Sequence, residues 1–164
     1  MRSEIRKLPG IYLFFFMAFL AQIRFSPGSV WCPDFILLAV VFISIFGGMG
    51  NGVISGFLLG ALRGFFSAHT LPADIVVFPL IALFSSMMSG MFYRNSPVLH
   101  IFVMLVAMIS LVFAHTAYLN ILTGNDIRFL SAVADNWRVV VVTLILSPII
   151  FMPLNNYLER TGMI

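Results

Sequence analysis

Charge is what this chain has least of. Only 9% of its 164 residues are Asp, Glu, Lys or Arg, against 61% that are hydrophobic, and the mean hydropathy is +1.07. A soluble domain of this size would not stay in solution with that composition, so the chain reads as an integral membrane protein. The loops between apolar runs are too short for a folded module, so residues 1–164 are expected to form a single membrane domain. The nine basic residues are scattered and form no stripe, which excludes a nucleic-acid footprint. A single cysteine, Cys32, excludes an intrachain disulfide. With three dispersed histidines it also excludes the usual structural zinc patterns, and no cofactor is implied.

Catalytic patterns are missing as well. Ser55-Gly56 follows Val53-Ile54 and Ser89-Gly90 follows Met87-Met88, so neither supplies the first glycine of a Gly-x-Ser-Gly element. There is no His-Glu-x-x-His run and no pair of intramembrane aspartates. The expectation is a protein that is not an enzyme.

What is present is a series of apolar runs. Arg2, Arg6 and Lys7 precede the first, Ile11 to Ile23, which ends in Gln22 and Arg24 with no small-x-small cleavage site and so reads as a retained span. The stretch from Phe35 to Phe66 would be about 48 Å long as one helix, beyond a hydrocarbon core of about 30 Å. Gly47-Gly48-Met49-Gly50-Asn51 is the place to turn. Six spans follow, at about 10–25, 34–48, 51–67, 74–93, 97–122 and 138–158. An even number places both termini on one side, and the basic start puts that side in the cytoplasm. Between the last two spans, Ile127, Leu130, Ala134 and Trp137 fall at helical spacing. Two readings stay open there, a short interfacial helix or a loop with a tryptophan anchor.

Gly48, Gly52, Gly56, Gly60 and Gly64 recur every fourth residue. On a helix they trace a slanting groove in which another helix can lie at backbone distance, the way spans associate in lipid. The stripe suits both packing within the bundle and docking of a foreign span. Bulk at Gly56 or Gly60 is expected to weaken partner binding while the bundle still inserts.

Ionisable groups inside a membrane need a partner or water. Arg63 and Asp74 flank the loop between the third and fourth spans, so an ion pair across that hairpin, snorkelling of Arg63 to the headgroups and a ligand-binding role for it are all open. His115 lies deep in the fifth span. A hydrogen bond to a neighbouring helix is its ordinary role, and proton relay would require Asp74, the one plausible acid on that side. His69 and His100 fall near expected helix ends, within reach of water. Pro79, Pro148 and Pro153 each free a backbone carbonyl inside a span.

Taken in order, the pattern resembles the bacterial rod shape-determining MreD family. It shows a basic start and one span, then Pro33-Asp34 opening an aliphatic helix, then Gly52-x-x-x-Gly56-Phe57-x-x-Gly60-Ala61, a small-residue loop, and three more spans with Pro148 in the last. Where family members often carry an aspartate this chain has Gly64, preceded by Arg63. No acidic role is therefore placed on Gly64, and Asp74 stands as its candidate substitute.

The resemblance implies an all-α, six-transmembrane-helix bundle similar to the substrate-binding subunits of energy-coupling factor transporters. It implies an inner-membrane scaffold in the cell-elongation machinery that makes peptidoglycan, with a single-span MreC-like protein as partner. Through that partner it implies links to MreB, to RodA and to RodA's penicillin-binding transpeptidase. The alternative is a vitamin-binding subunit of an energy-coupling factor transporter. Ala18 followed by Gln22, and Ala21 by Phe25, depart from the Ala-x-x-x-Ala surface of those subunits.

Overall fold

Asp34 starts the first described helix by capping it. Its side chain accepts a hydrogen bond from the Leu37 N–H at 3.0 Å, satisfying a donor that the first turn leaves open. The computed structural model describes residues 32–66, 71–91, 96–124 and 128–160, together with Met17, Leu20 and Gln22. Among them are five helices: α1 (Phe35–Phe46), α2 (Met49–Phe66), α3 (Leu71–Met91), α4 (Pro97–Thr123) and α5 (Phe129–Arg160). The expected span at 10–25 falls outside the described residues except for those three positions.

Helix α1 is apolar on every side, and every residue from Ile36 to Phe46 is buried. A helix with no polar face belongs in a core. At twelve residues it is about 18 Å long, too short to cross the hydrocarbon layer by itself. It forms the axis around which the other helices pack, touching α2, α3, α4 and α5. The turn after it is where the sequence places it. Gly47 caps α1 with its N–H on Ile43 O, and Gly48 adopts φ +85°, a left-handed conformation that glycine takes without strain. Asn51 Nδ2 then donates to Gly47 O at 3.1 Å.

The glycines of α2 pack inside the chain. A Cβ on Gly52 would lie 2.9 Å from Ser44 Cα of α1. On Gly56 it would lie 2.8 Å from Phe78 O, and on Gly60 2.5 Å from Asp74 O, both on the α3 backbone. The expectation of an external helix along this stripe is corrected at these three positions, because α1 and α3 already fill it. Gly64 is buried, and Gly48 belongs to the turn, where an added methyl group would meet nothing within 4 Å. The opposite side of α2 carries exposed Ile54, Phe57, Leu58 and Phe65.

Among the described residues, three helices have stretches long and apolar enough to cross a membrane: Pro72–Met91, Pro97–Thr123 and Phe129–Leu154. Helix α4 starts with Pro97 in its first turn and stops at Gly124, left-handed at φ 65°. Helix α5 begins at Phe129, nine residues before the expected 138. The segment expected as a separate interfacial helix or a loop forms the first turns of α5, since no glycine or proline separates Trp137 from the run that follows. Its 32 residues extend about 48 Å. Pro148 removes the N–H that would bond Leu144 O, and Ser147 Oγ donates to that carbonyl instead, at 3.0 Å.

His100 differs from expectation. It is fully buried, with its ring edge-on to Phe46 and Phe151 at centroid distances of 5.9 and 5.2 Å. Helix α4 begins at Pro97, and its first turn packs against the ends of α1 and α5 instead of facing water. His69 lies outside the described residues.

Bulk at the stripe should break the hairpin. Gly56→Leu and Gly60→Leu are each expected to destabilise the chain by about 3 kcal/mol or more, because the contact is with backbone that has no rotamer to yield. Gly50→Leu, which meets nothing within 4 Å, is expected to change stability by under about 1 kcal/mol. Unfolding titrations in mixed micelles would measure all three.

Candidate functional site

Four ionisable residues, one from each of α1 to α4 or its cap, meet at one end of the bundle. Asp34 stands at the start of α1 and Asp74 in the first turn of α3, while Arg63 is in the last turn of α2 and His115 in the second half of α4. Antiparallel succession brings alternating starts and ends to the same level. Arg63 Nη1 forms a short ion pair with Asp34 Oδ2. Arg63 Nε lies 3.9 Å from Asp74 Oδ2, and His115 Nε2 is 2.6 Å from the other oxygen, Asp74 Oδ1. The result is a chain, Asp34 to Arg63 to Asp74 to His115, that crosses four helices.

The fifth helix joins through the backbone. Thr143 Oγ1 of α5 accepts the Asp34 N–H at 3.0 Å and donates to Val139 O at 2.6 Å. Gln22 Oε1 accepts the neighbouring Phe35 N–H at 2.9 Å. Asp34 thus caps α1, pairs with α2 and binds α5 with three different groups. The Arg63 guanidinium also lies over the Phe78 ring of α3, 5.4 Å from its centroid.

Of the residues expected to matter, the structure joins Arg63 to Asp74 and Asp74 to His115. The ion pair across the hairpin is present, but Arg63 is held more closely by Asp34. The sequence marks Pro33-Asp34 only as a helix opener. A partial signal is there, since Asp34, Arg63 and Asp74 all fall at span ends on one side. Pro148 stands apart, near the middle of α5. Among the described residues no group of three His, Cys, Asp or Glu is placed to hold a metal ion.

Against the charges lies a partly open cavity of about 240 Å³ between α4 and α5, with Asp34, Arg63, His115, Thr116 and Asn136 among its lining residues. On the other side of α4, an apolar groove of about 620 Å³ runs along α3, bordered by the small residues Ala107, Ser110 and Ala114. Just before α1, burial and the neighbouring Asp34 carboxylate push the Cys32 thiol above its usual value. Its Sγ donates to Pro33 O at 3.5 Å.

These contacts generate two expectations. Arg63→Ala leaves two buried carboxylates without their cation and should cost about 3 kcal/mol or more, whereas Arg63→Lys should recover part of the loss. Chemical denaturation of each variant reads this directly. Cys32 should react with maleimide at neutral pH much more slowly in the folded chain than after unfolding in dodecyl sulfate, because little of it is thiolate or accessible.

No curated protein and no solved structure matches the chain, so the expected likeness to energy-coupling factor subunits gains no support there. A protein-family model does match: that of the rod shape-determining protein MreD, over residues 1–161 of the 164. That family consists of bacterial inner-membrane proteins that determine cell shape and are not known as enzymes. With an all-helical structure and three helices fit to cross a bilayer, this chain belongs to the MreD family.

Proposed function

We propose that this protein is a non-enzymatic scaffold subunit of the cell-elongation machinery, anchoring the single transmembrane helix of an MreC-like partner. The observation that carries the reading is the family match across residues 1–161. The structure supports it with an arrangement suited to rigidity. Glycines lock α2 against α3, and one ionic chain ties α1 to α4, so surfaces on the bundle hold fixed positions. In this proposal a sixth helix over about residues 10–25 completes the bundle, with Gln22 against the start of α1. Both termini then face the cytoplasm, and the ionic end faces outward. MreB, RodA and the transpeptidase would be reached through the partner.

The partner's helix needs a surface not already filled, and the glycine stripe is filled at Gly52, Gly56 and Gly60. The groove between α3 and α4 meets the requirement. It is apolar, and Ala107, Ser110 and Ala114 sit at spacings of three and four along α4, letting a helix approach closely.

Ser110→Leu and Ala114→Leu, both only partly buried, should fill the groove and abolish co-purification of an MreC-like partner from native membranes while the variant chain still inserts and melts normally. Full recovery of partner with both variants would refute docking at this groove. Failure of the parent chain to bring down any component of the elongation machinery would refute the scaffold reading itself.

A further inference from the structure

The ionic chain and the cavity above it present unequal chemistry. The Asp74 side chain is 0% exposed and that of Asp34 6%, whereas Arg63 and His115 are each 22% exposed. Asp74 lies beneath the cavity and Asp34 on its lining, and both carboxylates are engaged, by the Leu37 N–H, Arg63 and His115. Arg63 meets them through Nη1 and Nε and also lines the cavity. Asn136 commits one Nδ2 hydrogen to Ala132 O at 2.8 Å and has a second to offer. Arg63 is already matched by two carboxylates, one of them on the cavity lining, so the site has no cationic group left over for a charged ligand. The cavity offers donors on Arg63 and Asn136, and apolar walls formed by Met108, Val112 and Val139.

We infer that this cavity binds an acyl group, its carbonyl oxygen accepting from Arg63 and its hydrocarbon chain lying between α4 and α5. A carbonyl matches the available donors, needs no countercharge, and leaves the chain in surroundings it prefers. Two sources offer that chemistry, the ester of a membrane phospholipid and a free fatty acid bound in its protonated, uncharged form. The site is distinct from the α3 and α4 groove and does not depend on partner docking.

The test uses the full chain in nanodiscs of ether-linked phosphatidylcholine, which lacks acyl carbonyls, with palmitic acid carrying a photoreactive diazirine as probe. Saturable labelling should map to residues 108–119 and 132–140, which line the cavity. Displacement by unlabelled palmitic acid alone would identify a free acid as the occupant. Displacement by ester-linked but not ether-linked phosphatidylcholine would identify a phospholipid. Val112→Phe and Ala132→Leu narrow the cavity from opposite walls without touching the ionic chain, and should lose the labelling with melting unchanged. Labelling that rises in proportion to probe and spreads over the outward face at Val141, Ile145 and Ile149 would overturn the proposal. So would labelling that persists in both correctly folded variants.

Discussion

One guanidinium, that of Arg63, held between two carboxylates of which the second also binds the His115 imidazole, is the constraint on which the remaining structure depends. A charge removed from water is costly unless its partners arrive with it, and these four groups come from four different helices. Any arrangement that separates α1 from α2, or α3 from α4, strands at least one of them. Apolar contacts among membrane helices are weakly selective, because lipid chains offer the same contacts. The polar chain supplies the register that such packing lacks.

The glycines and the charges serve one another. Arg63 reaches Asp74 because α2 and α3 run at backbone contact, and they do so because Gly56 and Gly60 have no side chain. Conversely, the same Asp74 whose carbonyl lies against Gly60 turns its carboxylate to Arg63 and His115. In the buried helix α1, Asp34 carries capping, pairing and the link to Thr143 together. A bundle fastened in this way holds its outer surfaces in constant relation, as the proposed anchoring role would require.

Much of this is legible from composition and spacing. The turn at Gly47 and Gly48 and the division of the long apolar stretch into α1 and α2 follow from local rules, and the hairpin contact between Arg63 and Asp74 is among the readings they leave open. The side of α2 that the glycines serve is not legible, since a groove every fourth residue looks the same whether its occupant belongs to the chain or not. Local rules make Asp34 the start of a helix, and its pairing across 29 residues is a tertiary matter. A position at a helix end suggests water for His100, yet Phe46 and Phe151 enclose it. The apolar run alone would start α5 at 138, although nothing in Phe129 to Trp137 prevents a helix.

The most direct measurement of the central claim is a double-mutant cycle between Asp34→Asn and Arg63→Gln, read as unfolding free energy in mixed micelles. The two residues touch across helices, so the account predicts that the double variant is more stable than the sum of the single losses allows, by about 1 kcal/mol or more. Strict additivity, within about 0.3 kcal/mol, would contradict it and show that the helices are held in register by something else.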